Sequence, residues 1–243
     1  MERAAYDRMR ELQQDHWWFQ ARRRIIESAL EQLGLPGDAR ILEVGCGPGG
    51  NLGVLKRFGA VEAVEPDPAS RAYASEHWDV PVHDGLLPHA LPFTKASFDV
   101  IAVFDVIEHV DDDAGSVKAL AVLLKPGGHL VATVPAHAWM WSAHDARHHH
   151  KRRYAKREFR RLFSDAGLVP VKLSFFNALL FPLIAGVRVA KTALNIHGGE
   201  DDRMPSPTVN RLLGGIMAFE RHALRRGGLP FGVSLLMIAR KPA

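Results

Sequence analysis

Ile41-Leu42-Glu43-Val44-Gly45-Cys46-Gly47-Pro48-Gly49-Gly50-Asn51 is the stretch that decides the fold. Ile41, Leu42 and Val44 make a short apolar run that reads as a buried strand. Gly45, Gly47, Gly49 and Gly50 follow, a loop whose backbone can reach positive φ and come close to a ligand. Asn51 then opens a helical pattern with Leu52, Leu55 and Phe58 on one face, and Gly59 is expected to cap its end. Strand, glycine turn and helix is how α/β proteins grip a nucleotide-like ligand at the first crossover.

The spacing narrows that ligand. Gly45, Gly47 and Gly50 satisfy G-x-G-x-x-G, so the glycines alone leave a dinucleotide open, whereas a phosphate-gripping P-loop is excluded because the loop has no Lys. Glu43 is the discriminator, since an acid in a glycine-lined pocket suits a cation better than a pyrophosphate. Glu-Val-Gly-Cys-Gly-x-Gly resembles the first motif of the class I S-adenosylmethionine-dependent methyltransferases, whose ligand carries a sulfonium and an ammonium. In that reading Glu43, Gly45, Cys46 and Gly47 contact the cofactor, and Cys46 is a small side chain that fits the loop rather than a nucleophile.

Further segments match the same family in order from residue 40 to 135. Val61 to Glu65 reads as a second strand ending on an acid and followed by Pro66-Asp67-Pro68. An acid at this tip, about 20 residues past the glycine loop, is placed to accept both ribose hydroxyls, and one carboxylate has acceptors for two donors. Asp84-Gly85-Leu86 resembles the family's third signal, an acid beside the adenine amino group. Phe98 to Phe104 is a fourth strand, and Leu124 to Val134 reads as a helix end, a turn and a fifth strand. The resemblance implies a three-layer Rossmann-like α/β fold. Its seven-stranded sheet is mostly parallel with an antiparallel last strand, and a helical lid is inserted. The cofactor implied is S-adenosylmethionine, with S-adenosylhomocysteine as product.

Composition bounds the rest. The chain has 243 residues, 47% of them hydrophobic, and one cysteine, which allows one ample core and excludes an intramolecular disulfide framework. The first residues lack the apolar stretch of a secretory signal, so a cytoplasmic location is expected. Net charge is +4, but residues 147–161 alone hold eight Lys/Arg against one acid, leaving the remainder slightly acidic. No nucleic-acid partner is expected, because that needs an extended basic face.

The expected organisation is a single methyltransferase domain: a helical cap over 1–38, a cofactor-binding core over 39–174, a helical lid over 175–230 and a last strand over 231–243. The cap carries His16-Trp17-Trp18-Phe19 and Arg22-Arg23-Arg24, and Trp18, Phe19 and Arg22 are expected to close over the donor with the Arg near its carboxylate. A helix is expected over about 155–166, ended by Gly167. Between the last two strands lie about 55 residues where a hairpin needs 2–5. Their first part, Phe175 to Val187, is apolar but interrupted by Asn177 and Pro182, and too short to span a bilayer, which takes about 20 residues. It reads as a lid helix over the acceptor pocket; the alternative is peripheral membrane contact through an outward patch of Phe175, Phe181 and Ile184. Residues 195–209 read as a polar, mobile Gly/Pro loop, and Leu212 to Leu224 as a second lid helix.

Ligands in open α/β sheets bind outside the carboxyl ends of the strands. That puts Phe104, Asp105 and His109 beside the donor methyl, and the stretch from Pro135 to Tyr154 across the crevice. A hydroxyl acceptor needs its proton removed near neutral pH, for which His is suited. The candidates are His144, Asp145, His150 and Tyr154, within a segment resembling a bacterial branch of the family that also carries the Trp-Trp-Phe-x-Ala-Arg segment. His144 is preferred as base, beside Asp145 and in an aromatic setting with Trp139 and Trp141, with His109 in reserve. Asp105-x-x-Glu108-His109 resembles a cation-binding group of some O-methyltransferases. Glu-His-Val is also common in metal-independent members, so no metal is expected.

The function expected is S-adenosylmethionine-dependent methylation of a small hydrophobic or amphipathic acceptor, at oxygen rather than nitrogen. Alternatives are carboxylate or sugar methylation of a peptide or lipid-linked substrate, or a non-catalytic cofactor-binding module. An NAD-dependent oxidoreductase is disfavoured by the later motifs.

Overall fold

A computed structural model describes residues 3–194 and 203–243. Helices α1 (Arg3–Leu12) and α2 (Trp17–Leu30) lead into β1 (Arg40–Val44), the glycine loop and the short α3 (Leu52–Leu55). Then come β2 (Ala60–Val64), α4 (Pro68–Trp78), β3 (Val82–His83), β4 (Phe98–Phe104), α5 (Asp113–Leu123) and β5 (Leu124–Pro135). The second half holds α6 (Ala143–Arg147), α7 (Lys156–Asp165), β6 (Val169–Phe176), α8 (Phe181–Ala193), α9 (Pro207–Phe219), α10 (Arg221–Arg226) and β7 (Ser234–Arg240).

The seven strands run in the order β3-β2-β1-β4-β5-β7-β6, with only β7 antiparallel to its neighbours. The three-layer Rossmann-like sheet is thus the one expected. Alternation along each strand builds two cores. In β4, Ile101 and Val103 join Leu42, Leu130 and Met237 under α5 and α7, where Leu120, Phe159 and Phe163 are fully buried. Val100 and Ala102 face the other way, onto Ile41, Val131 and Ile238, beneath Ile25 and Ile26 of α2 and Leu52 of α3. Strands buried on both faces read as continuous apolar runs, which is why β4 was legible in the sequence.

Local outcomes differ in informative ways. Gly45 and Gly47 adopt φ of 73° and 54°, the left-handed turn that a β-carbon would strain. Gly59 does not cap α3, which ends at Leu55. It is glycine because a β-carbon there would lie 2.1 Å from the carbonyl oxygen of Ala39. Strand β6 runs on through Phe175 and Phe176, so the insertion starts at Asn177 rather than 175. Pro182 does not break the apolar helix; it sits in the first turn of α8, where its missing N–H costs nothing.

Helix α8 reaches over the strand ends, but α9 and α10 do not. They pack along α2, where Asn210 Oδ1 accepts a hydrogen bond from Trp17 N at 2.8 Å. The expected second lid helix is therefore a brace for the N-terminal cap. Of the expected loop at 195–209, residues 195–202 lie outside the described residues, and α9 begins at Pro207. Phe175 is buried, so the outward patch of Phe175, Phe181 and Ile184 does not form. No described helix is long and apolar enough to cross a membrane.

Candidate active site

A cavity of about 1080 Å³ opens outside the carboxyl ends of the strands. Ligand sites usually run to roughly 300–1,000 Å³, so this one has room for a donor and an acceptor together. Its donor half is built on β1, β2 and the segment after β3. Val44, Gly45, Cys46 and Gly47 line it, with Glu65 and Pro66 after β2 and Gly85 and Leu86 beyond β3. Glu65 is buried, accepting from Gly47 N at 2.8 Å through Oε2 and from Asp67 N at 2.9 Å through Oε1. Each carboxylate oxygen has two lone pairs and can accept more than one donor.

Three acids assigned to the cofactor lie elsewhere. Glu43 is buried below the loop, where its Oε1 accepts from Asn51 Nδ2 at 2.8 Å. Burial pushes its pKa up to about 7, against the opposing hydrogen bond from Asn51 and the charge of Arg22. Strand alternation explains the misplacement, because side chains at a strand's end point across its faces, not along its axis. Asp67 caps α4, accepting from Ser70 N at 2.8 Å. Asp84 is exposed and pairs with Arg71 at 2.8 Å. None of the three lines the cavity.

The N-terminal cap does cover the donor half. His16 caps α2, accepting from Trp18 N at 3.3 Å. That aims one face of the helix at the cavity. Trp18, Phe19 and Arg22 line it, the Arg22 guanidinium lying 4.5 Å over the Trp18 ring and pairing with Asp105. Asp105 itself sits at φ 55°, directly after β4. Met9 and Leu12 of α1, and Gln13 just after it, also line the cavity. The sequence reading missed these three, because their pattern is that of any amphipathic helix.

The acceptor half centres on Asp145. This fully buried carboxylate accepts from Arg153 Nε at 2.7 Å and Nη2 at 3.0 Å, and from Ser142 N at 2.8 Å. It also bonds His150 Nδ1 at 2.8 Å. Burial alone would raise its pKa, but His150 and the Arg153 guanidinium hold it well below the usual carboxylate range. His150 lines the cavity, so Asp145 orients a ring that faces the site. His144 lines the cavity too, with its ring centroid 6.1 Å from that of His150. Tyr154 does not line the cavity: its hydroxyl donates to Asp113 at 2.9 Å, and its pKa is raised by burial and by that carboxylate. Its part is to tie the segment after β5 to α5.

Phe104, Asp105, Glu108 and His109 line the cavity between the two halves. Glu108 is fully buried and neither carboxylate oxygen has a hydrogen-bond partner among the described residues. Burial first, then Asp105, raises its pKa well above the usual range. Burial holds His109 neutral, with a pKa lowered to about 3. Ligand atoms of Glu108, His109 and His150 lie within 4.8 Å of one another, a set that could hold a metal. It differs from the Asp105-Glu108-His109 set of the sequence, because Arg22 engages Asp105.

Comparison with known proteins agrees with this geometry. A family model described as a methyltransferase domain matches residues 17–173. Ubiquinone biosynthesis O-methyltransferase of Xylella fastidiosa is 40% identical over 103 residues, covering 40% of this chain and 42% of that protein. The protein of the same name from Methylocella silvestris is 37% identical over 101 residues, covering 38% of each chain. The chain thus spans about two fifths of the length of the curated relatives it matches. Among solved structures, the complex of the Haloferax volcanii Trm112 methyltransferase activator with a methyltransferase gives a TM-score of 0.65 at 19% identity, over 99% of this chain and 95% of that one. The matched stretch takes in the cap aromatics, the glycine loop, Glu65 and the Asp145–His150 pair. The sheet order and the cavity above it are as this motif order demands, and the chain belongs to the class I S-adenosylmethionine-dependent methyltransferases.

Proposed function

We propose that this enzyme methylates a hydroxyl oxygen of a small apolar or amphipathic acceptor, with His150 as the base. The carrying observation is the Asp145–His150 hydrogen bond of 2.8 Å at the wall of the cavity. S-adenosylmethionine supplies an electrophilic methyl group. Asp145 accepts from Nδ1–H of His150, which fixes the tautomer and leaves Nε2 to take the acceptor's proton. As the oxygen forms its bond to the methyl carbon, the carbon–sulfur bond breaks and the pair leaves with sulfur. Methyl transfer is an in-line displacement, so most of the enzyme's contribution is alignment.

In the same reading Gly45, Cys46, Gly47, Glu65, Gly85 and Leu86 hold the nucleoside half of the donor. Trp18, Phe19 and Arg22 close over its amino-acid end, where Arg22 exchanges Asp105 for the donor carboxylate. Leu183, Ile184 and Val187 of α8 give the acceptor half an apolar wall. Oxygen as the target agrees with the relatives' being named O-methyltransferases. A second reading, methylation of a carboxylate or sugar on a lipid-linked or peptide substrate, draws on Arg147, Arg188 and Lys191 along the cavity.

Methyl-labelled donor incubated with the enzyme and fractionated cell extract tests this. Base-stable label in an apolar small-molecule or lipid pool is the expected result. Base-labile label would move the reaction to a carboxylate. No label anywhere, with S-adenosylhomocysteine still bound, would leave a binding module.

A further inference from the structure

Asn177 stands at the junction of β6 and α8, with its backbone at φ 55°. It is 1% exposed and lines the cavity beside Val233, Ser234 and Ile184. Its carboxamide oxygen is sealed from solvent and has no hydrogen-bond partner among the described residues. The conformation is imposed from outside. Buried Glu220, between α9 and α10, accepts from Ala178 N and Leu179 N at 2.8 Å each, and from the N–H of Asn177. Val233 N donates to the Asn177 carbonyl at 3.3 Å. The chain therefore holds a neutral polar group, whose oxygen has no partner among the described residues, in a left-handed turn at the wall of the acceptor half. An unsatisfied buried polar group at a cavity wall is what a ligand contact resolves.

We propose that Asn177 is a positioning residue that hydrogen-bonds a second, uncharged hydroxyl of the acceptor, apart from the one methylated. This rests on the reading of a hydroxyl acceptor given above. The carboxamide can neither take a proton at neutral pH nor neutralise an anion, so it serves orientation and not chemistry. A hydroxyl both donates and accepts, so it satisfies the carboxamide whichever end turns to the cavity; a ketone or an ether satisfies one end only. Asn also tolerates φ > 0 better than most residues, and a purely conformational role would be filled equally well by glycine.

Calorimetry on enzyme saturated with S-adenosylhomocysteine separates these, using 4-hexylcatechol and 4-hexylphenol as probes. Wild type is expected to bind the catechol about tenfold more tightly, the scale of one net hydrogen bond in a dry site. Asn177→Gly should cut that preference to about twofold, by weakening the catechol alone and leaving S-adenosylhomocysteine affinity unchanged. A folded Asn177→Gly enzyme that keeps the tenfold preference overturns the proposal. So does wild type binding both probes equally, which needs no variant. Failure of both probes to bind wild type would instead remove the hydroxyl-acceptor reading, and this inference with it.

Discussion

Replacing Glu43 by Gln should stabilise the protein at alkaline pH and barely affect it in mild acid. Glu43 is 1% exposed, and burial pushes its pKa from 4.5 up to about 7. The folded state therefore holds a proton that the unfolded chain has already released across that window. Stability from this group is complete below pH 4.5 and is lost as pH rises through 7. At 1.36 kcal/mol for each pH unit between the two values, the folded state forfeits about 3 kcal/mol by pH 8. At pH 5 the same linkage leaves a loss below about 1 kcal/mol. Gln removes the titration and can keep the acceptor for Asn51 Nδ2, which now lies 2.8 Å from Oε1. Urea unfolding of both proteins at pH 5 and pH 8 measures the effect. The stability gained by Glu43→Gln should exceed its pH 5 value by about 2 kcal/mol at pH 8. Equal gains at the two pH values, or a loss at pH 8, would refute the argument and place the charged carboxylate in a solvated or cation-paired setting.

Further outcomes follow from the site. Glu65→Ala should weaken S-adenosylhomocysteine binding by about 1.5–3 kcal/mol, the range for hydrogen bonds to a charged group, and unchanged affinity by calorimetry would remove Glu65 from the ribose. His150→Ala should lower turnover by roughly 10²–10⁴-fold without moving donor affinity, and His144→Ala should do much less; the reverse ranking would return the base to His144. Removing residues 1–24 should cost donor affinity in a folded protein, since Trp18 and Arg22 line the cavity; intact affinity would make the cap a brace only. Cys46 should resist alkylation in the native state, because its thiol is buried and its pKa is raised well above the ordinary value by burial; rapid labelling would mean the glycine loop opens.

The Asp145 segment shows how a site hides in plain sequence. His144 stands beside Asp145 in the chain, yet residues adjacent on a helix point in different directions, and the Asp145 carboxylate engages His150 and Arg153. His150 returns to it only because residues 148–150 reverse the chain, with His149 at φ 54°. Arg153 likewise reads as one more cation in a basic run, and its two hydrogen bonds to Asp145 exist only once that turn is made.

What the sequence determined by itself was whatever depends on neighbours along the chain. The glycine loop, the continuous apolar strand Phe98–Phe104, the acid after β2 and the amphipathic α7 each have a local physical cause, and together they pointed to the fold class and the family. The tertiary structure decided which side chains share the cavity. Glu43 and Glu65 both sit at strand ends, but one faces Asn51 beneath the loop and the other reaches the cavity wall. Leu212 to Leu224 looks as apolar as α8, yet it covers α2, because α2 had its own apolar face to bury. Asn177 read only as a break in an apolar run. Its backbone is set by Glu220, distant in sequence, and only a closed fold brings that carboxylate to the turn.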